Sequence, residues 1–345
     1  MANLFFLLSG ENETLPFAEL KAILEAEEYV YSVTGKLDQV VRLKAEQNSS
    51  NTVHCRSAYT MASALELFTC KAQEAEILKA ADAANFKNAI NEGESFAVRI
   101  KRVKEHAPQL STVWLEGKLG KCILDNTTQT RVNLKKPDKT FFGILTSGKL
   151  VFGLKLSEMT PKTFSERRPR KKPFFHPSAM PSKLARCMVN LARAKCGKLM
   201  LDPFCGTGSV MIEAAFVGCR LLGLDVQRRM IVGCRKNLNH FGVEPDGLIL
   251  ADSRKLPLTR IDYVVTDPPY GKSATTMKLT TKQVVEGVLS SASPLLGTGQ
   301  RICMASPKTL GIAQIGMELG YRHVESHFAY VHRTLTREIA VFQKT

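Results

Sequence analysis

Short apolar runs recur along the second half of the chain, and each is followed by an acid. Leu199-Met200-Leu201 leads into Asp202, and Arg220-Leu221-Leu222-Gly223-Leu224 into Asp225. Leu248-Ile249-Leu250-Ala251 leads into Asp252-Ser253, and Tyr263-Val264-Val265 is closely followed by Asp267. Runs of this length predict buried strands. Between the first two runs Val210, Met211, Ile212, Ala214, Ala215 and Phe216 predict a helix that stops at Gly218. Arg301-Ile302-Cys303-Met304 predicts a further strand. Phe328–Tyr330 and Glu338–Phe342 predict an antiparallel pair that closes the sheet, with Arg333 and Arg337 between them placed to face phosphate. Strand and helix in alternation predict an α/β doubly wound, mostly parallel sheet, in which ligands sit beyond the carboxyl ends of the strands. All four acids fall at such ends.

The first half also mixes the two periods. Leu4–Ser9, Val40–Lys44 and Phe96–Arg102 predict strands; Pro16–Ala26, Tyr59–Phe68 and Ala83–Asn91 predict helices. In Phe96–Arg102, Val98 and Ile100 alternate with Arg99 and Lys101, which predicts a basic outer face, with Arg102 at its end. Val132–Asp138 leads into Thr140–Leu145. Ser147-Gly148 then separates that run from Lys149–Leu154, a hairpin signal.

The strand ends carry the candidate chemistry. Asp202-Pro203-Phe204-Cys205-Gly206-Thr207-Gly208-Ser209 lies between strand and helix, the arrangement of a nucleotide-binding turn. Its two glycines permit close backbone approach. Met211 stands where dinucleotide binders carry a third glycine, which weakens a pyrophosphate reading. Asp202 would pair with a cationic amine, such as the ammonium of S-adenosylmethionine, and would repel a phosphate. Asp225 is placed to accept ribose hydroxyls, and Asp252 to accept from an adenine amino group. Asp267-Pro268-Pro269-Tyr270-Gly271 makes a stiff corner, because proline restricts φ and donates no N–H. A carboxylate and an outward carbonyl beside a ring suit the gripping of an exocyclic amino group on a nucleobase.

Composition narrows the class. Of 345 residues, 44% are hydrophobic, enough for a full core, and the net charge of +16 favours a polyanionic partner. Lys162, Arg167, Arg168, Arg170, Lys171 and Lys172 cluster among Pro161, Pro169 and Pro173, which predicts an extended basic linker. The nine cysteines are scattered, with no Cys-x-x-Cys pair, which argues for a reducing compartment, here the cytoplasm, and against a metal site. No run predicts a signal peptide or a membrane span. Lys272–Lys282, rich in Ser, Thr and Lys, reads as a mobile lid or an ordinary surface loop.

From about Phe174 onward the chain resembles class I S-adenosylmethionine-dependent methyltransferases of the amino-methylating group. The cofactor loop at Asp202–Gly208, the Asp267–Gly271 corner and Phe174-Phe175-His176-Pro177-Ser178 carry that resemblance. Residues of about 50–155 resemble the THUMP domain of RNA-modifying enzymes. The whole chain is similar to THUMP-domain tRNA guanine-N2 methyltransferases, in particular the archaeal and eukaryotic guanine-10 family. The resemblance implies a ferredoxin-like region at 1–50, THUMP at 51–157, a basic linker at 158–173 and a Rossmann-like methyltransferase domain at 174–345. It implies S-adenosylmethionine as cofactor, held by His176, Pro177, Ser178, Asp202, Phe204, Cys205, Gly206, Thr207, Gly208, Asp225, Val226, Asp252, Ser253 and Asp267. Asp267, Pro268, Pro269 and Tyr270 would be catalytic. tRNA would lie on Arg99, Lys101, Arg102, Arg167, Arg168, Arg170, Lys171 and Lys172, and a small zinc-binding activator subunit would be a second partner. The implied reaction is methylation of guanosine N2, at tRNA position 10 or, alternatively, at another position such as 6 or in ribosomal RNA. A non-catalytic RNA-binding protein is the more remote alternative. No DNA target-recognition segment is evident, so DNA is not an expected partner.

Overall fold

The computed structural model describes residues 1–160, 162–270 and 280–345. Pro161 of the basic stretch, Gly271 of the corner and most of the Lys272–Lys282 stretch lie outside the described residues. In chain order the first half runs β1 (Ala2–Leu8), α1 (Leu15–Ala26), β2 (Ser32–Leu37), β3 (Val40–Ala45), α2 (Ser49–Arg56), β4 (Thr60–Lys71), α3 (Glu74–Asp82), β5 (Ser95–Arg102), α4 (Thr112–Asp125), β6 (Arg131–Val132), β7 (Lys139–Thr146) and β8 (Lys149–Glu158). The second half runs α5 (Lys162–Ser165), α6 (Ser182–Leu191), β9 (Leu199–Asp202), α7 (Ser209–Ala215), β10 (Arg220–Asp225), α8 (Arg228–His240), β11 (Gly247–Leu250), β12 (Ile261–Thr266), α9 (Thr281–Ala292), β13 (Leu296–Pro307), α10 (Ile312–Glu318), β14 (Tyr321–His332) and β15 (Leu335–Lys344).

Two compact units result. One comprises Met1–Glu11, Glu28–Cys55 and Thr60–Met159; the other comprises Asn12–Glu27, Arg56–Tyr59 and Thr160–Thr345. The stretch 1–50 is therefore divided, and α1 belongs with the C-terminal unit.

The first unit is built on a sheet of order β2-β3-β1-β4-β8-β7-β5-β6. Phe86, Phe96, Phe141 and Phe152 pack edge-on and stacked on one side of it. Phe5, Phe142 and Val151 fill another cluster. The Ser147-Gly148 turn joins β7 and β8, and both its residues have positive φ, 47° and 70°. That geometry matches the twist of a tight hairpin. Two expected helices are absent. Residues 59–68 lie largely in β4, hydrogen-bonded to β1 on one side and β8 on the other. Met61, Ala64, Leu65 and Glu66 favour helix as single residues, and the two ladders override them. Between Ala83 and Asn91 only a 3-10 turn forms, at Phe86–Asn88, and the helix itself lies upstream at α3.

The second unit holds the seven-stranded sheet, order β11-β10-β9-β12-β13-β15-β14. Its first five strands are parallel; β15 runs against them, and β14, antiparallel to β15, runs with them again, so the sheet is mixed. Helix α1 is fixed to this unit by Glu19, which is fully buried. Its carboxylate accepts from the Ser57 hydroxyl at 2.6 Å, the Ala58 and Tyr59 amides at 3.0 Å and the Asn190 amide at 2.9 Å. Burial pushes the Glu19 carboxyl up from its ordinary value, against those bonds.

A second buried cluster decides the fate of the basic stretch. Far from being extended, it forms α5 and a 3-10 turn at Pro169–Lys171. Arg167 is 8% exposed and its guanidinium pairs with Glu213 of α7 at 2.7 Å; Arg186 of α6 pairs with the same carboxylate at 3.0 Å. Glu213 is itself fully buried, so removing it strands two cations in the interior. Breaking such a cluster from one side costs roughly 3–5 kcal/mol. Glu213→Ala is expected to lower the unfolding free energy by that amount, read in urea as a lower midpoint at unchanged slope; a loss under about 1 kcal/mol would mean that the two arginines do not depend on Glu213.

Candidate active site

Beyond the C-terminal ends of the parallel strands lies a cleft of about 210 Å³ that joins the glycine turn to the Asp-Pro-Pro-Tyr corner. Its wall includes Phe204, Gly206, Asp225, Val226, Asp252, Ser253, Asp267 and Tyr270. A smaller cavity of about 80 Å³ shares Phe204, Gly206 and Asp267 with it and adds Asp202, Cys205 and Thr207. His176 and Ser178 line both, and the His176 ring nitrogen Nδ1 lies 2.7 Å from the Ser178 hydroxyl. The two loops, far apart in sequence, thus share one concavity.

Each acid has a distinct setting. Asp202 is 2% exposed and accepts from the Thr266 hydroxyl at 2.7 Å and the Phe204 amide at 3.2 Å. Burial, aided by the charges of Asp225 and Asp267, pushes its carboxyl up to about 7. Among the described residues no cation pairs with it. Asp225 is held by the Gln227 amide at 2.8 Å and the Gly206 amide at 3.1 Å, and burial raises its carboxyl too. Asp252 is the exception. Arg254 grips it with bonds down to 2.5 Å and holds its carboxyl below the ordinary range.

The turn geometry explains the glycines. Gly206 and Gly208 have φ of 48° and 78°, and a Cβ on Gly208 would meet the Cys234 sulfur at 2.8 Å. Cys205 is buried, and its hydrogen bond with neighbouring Cys234, together with burial, raises its thiol far above the ordinary value, which leaves it inert. Pro177 is exposed and does not line either cavity.

At the corner, the sequence did not single out the decisive partner. Arg337 of β15 donates from Nη2 to Asp267 Oδ2 at 3.0 Å and from Nε to the Tyr270 hydroxyl, and its guanidinium lies 5.8 Å from the Tyr270 ring. It is 8% exposed, so it is no phosphate contact. Burial raises the Asp267 carboxyl more than Arg337 and Tyr270 lower it. Oδ1 of Asp267 is buried with no hydrogen-bond partner among the described residues. An orphaned acceptor of this kind costs about 1–3 kcal/mol and marks a place for a donor from outside the chain. Thr266, Gln227 and Met230 were likewise missed. Arg337 carries no local signal, since it reaches Asp267 only because β13 pairs Pro307 with Arg337.

The basic residues separate into two groups. Arg168, Arg170 and Lys171 are exposed, although Lys171 also bonds Glu166 at 2.9 Å; Lys101 is exposed on β5. Arg167 and Lys172 are not available to RNA. The first is consumed by Glu213, and Lys172, 6% exposed, donates to Ser209 at 2.8 Å; burial pulls its ammonium down to about 8. Arg102 is spent on the carbonyls of His106, Ala107 and Leu110, and Arg99 on those of Val98 and Leu134.

A sheet of this order with acids at its parallel strand ends defines a class I methyltransferase fold. Residues 169–337 match the family described as RMKL-like, methyltransferase domain, and residues 71–150 match the THUMP domain. The chain is 34% identical over 339 residues to the tRNA (guanine(10)-N2)-dimethyltransferase of Methanothermobacter thermautotrophicus, covering 98% of each chain. It is 30% identical to the protein of the same name from Methanocaldococcus jannaschii, covering 98% of this chain and 99% of the other. Among solved structures, TrmN from Thermus thermophilus superposes with a TM-score of 0.57 at 18% identity, covering 99% of this chain and 100% of that one, a likeness of fold. The chain belongs to the tRNA (guanine(10)-N2)-dimethyltransferase family. S-adenosylmethionine is the methyl donor, and the uncompensated Asp202, the backbone-held Asp225 and the apolar Phe204 and Val226 fit its ammonium, ribose and base.

Two outcomes are expected. A folded Asp202 keeps its proton to about pH 7, whereas an unfolded aspartate loses it near 4, so the ligand-free fold binds the extra proton and loses stability as pH rises between those values. An ammonium binds only the ionised form. S-adenosylmethionine affinity should therefore rise with pH up to about 7 and level off above it, with Asp202→Asn weaker and flat; calorimetric titrations at pH 5.5 to 8 check this, and a wild-type affinity independent of pH would contradict it. Arg337→Met removes one of the groups that oppose burial at Asp267. The acid limb of the methylation rate profile should move to higher pH; an unmoved limb would mean that Arg337 does not tune Asp267.

Proposed function

We propose that the chain methylates the exocyclic N2 amino group of guanosine 10 in tRNA, with Asp267 as the acceptor that aligns that amino group. What supports this reading most is the unpartnered Asp267 Oδ1, buried in the same cleft as the glycine turn. A guanosine must leave its stack to enter, at a cost of a few kcal/mol. In the bound complex S-adenosylmethionine supplies an electrophilic methyl group. Oδ1 accepts one amino hydrogen, and the Pro268 carbonyl takes the other. Drawing on both N–H bonds restores lone-pair density to nitrogen. Arg337 keeps Oδ2 occupied, so that only Oδ1 turns to the substrate. The Tyr270 ring stacks on the base while its hydroxyl stays tied to Arg337. The amino nitrogen becomes acidic only as its new bond forms, so Asp267 needs orientation more than basicity, and positioning supplies most of the rate.

tRNA is the macromolecular partner in this reading, taken by the THUMP domain, for which we keep the bounds 51–157, and by Lys101, Arg168, Arg170 and Lys171 at the surface. The stretch 158–173 then joins it to the transferase residues 174–345. The reading extends to a small zinc-binding activator subunit as a further partner and to the cytoplasm as its compartment. No helix of the described residues is long and apolar enough to cross a membrane.

Incubating unmodified tRNA with enzyme and cofactor, then mapping methylated nucleosides by mass spectrometry, tests base, position and methyl count together. Methylguanosine at position 10 is expected, and methylation confined to another base or position would overturn the reading. Asp267→Ala should lose at least about a hundredfold in turnover while still binding cofactor and tRNA; near-normal turnover would remove Asp267 from its role.

A further inference from the structure

The edge strand β14 ends in a hairpin whose surface is unusual. Tyr330 is 74% exposed and Phe328 46%, and His332 and Arg333 at the tip are exposed as well. Among the described residues β14 has β15 as its one partner strand, and the Phe328 carbonyl accepts from the Asn12 side chain at 2.8 Å. Sheets commonly blunt such edges with charge or cover, and exposed aromatic side chains there mark a surface with a use.

Position gives that use. Register places Ala329 opposite Arg337 and Tyr330 opposite Thr336. Arg337 is the residue that binds Asp267 and Tyr270; Tyr330 lies one residue along the ladder from it, on the same rim of the sheet, with its side chain on the opposite face. β15 enters beside the end of β13, hence the hairpin tip rises on the side where the parallel strands end. Lys308, just past β13, lies 5.0 Å from the Phe328 ring. Neither Lys308 nor Arg333 has an acidic partner among the described residues. A ring, a second ring capped by an ammonium and a guanidinium without an acidic partner among the described residues therefore gather at the hairpin tip, on the rim of the sheet that carries the cleft.

The geometry points to the β14–β15 hairpin tip as the contact for the RNA strand flanking the everted guanosine: Tyr330 stacks on a neighbouring base, while Arg333 and Lys308 meet its phosphates. This rests on the methyltransferase reading and names the surface that holds the target open. Stacking on exposed rings tolerates any base and combines with backbone charge in single-stranded RNA binding. A second copy of this chain is a poorer occupant, because at +16 it would bring cations against cations. Arg337 then has a second consequence: it ties the hairpin that holds the neighbouring nucleotide to the carboxylate that holds the reacting one.

The test uses the full chain with Tyr330→Ala, Tyr330→Phe and Arg333→Ala, measuring tRNA affinity by filter binding at several salt concentrations, KM and kcat for tRNA, and cofactor affinity by calorimetry. Tyr330→Ala should raise Kd and KM for tRNA about tenfold, and Tyr330→Phe should restore both. Arg333→Ala should weaken binding and flatten the logarithmic salt dependence by about one unit. Cofactor affinity should stay at the wild-type value, which also reports an intact fold. Unchanged tRNA affinity in Tyr330→Ala and Arg333→Ala would overturn the proposal, as would variants whose only change is a smaller species on sizing, the mark of a self-association surface. Wild-type enzyme that methylates no guanosine would sink the methyltransferase reading instead, leaving the binding measurements to decide the hairpin.

Discussion

The Asp267 carboxylate and the Arg337 guanidinium, 3.0 Å apart and both largely removed from water, set the terms for the rest of the site. Desolvating such a pair is expensive, of the order of several kcal/mol per ion, and their attraction repays it only with good geometry. That geometry comes from strand direction. Asp267 follows a parallel strand, so it lies at the carboxyl end of the sheet. β15 runs the other way, and its amino end therefore reaches the same rim and delivers Arg337 there. A parallel final strand would have carried this position to the opposite edge. The mixed sheet is thus a means of supplying a cation to Asp267 on a rim rich in acids.

Those acids share a common tension. Asp202, Asp225 and Asp267 are raised by burial, and of the three only Asp267 is met by a cation among the described residues. Asp202 is left with a hydroxyl and an amide. An arrangement of this type gives up some stability of the empty protein to keep electrostatic preference for a cationic ligand, a trade expected at functional sites.

Much of this rim was legible in the sequence. Parallel strands are covered on both faces and read as continuous apolar runs, so the acids that end them stand out. The proline pair confined the corner, and the glycine turn was visible as a break between strand and helix. What stayed hidden depended on partners distant in sequence. Arg337 looked like one more cation beside Arg333; only the β13–β15 register separates the buried one from the exposed one. Arg167 and Lys172 looked like members of a solvated run, because nothing local reveals Glu213 or Ser209 beneath them. Residues 59–68 read as helix since their side chains favour it, while the ladders on either side are a property of the assembled sheet.

The tie between Glu19 and Asn190 spans 171 positions. Contacts of such sequence separation form late, after a large loss of chain entropy. During synthesis the transferase half cannot finish its core from its own segment, because α1 left the ribosome long before and must be kept available. A version cut at the start of α5 would lack that helix and leave the Asn190 amide without its carboxylate. The catalytic half is therefore not a transplantable module, and a fusion or a minimal enzyme would have to carry the amino-terminal helix along with it.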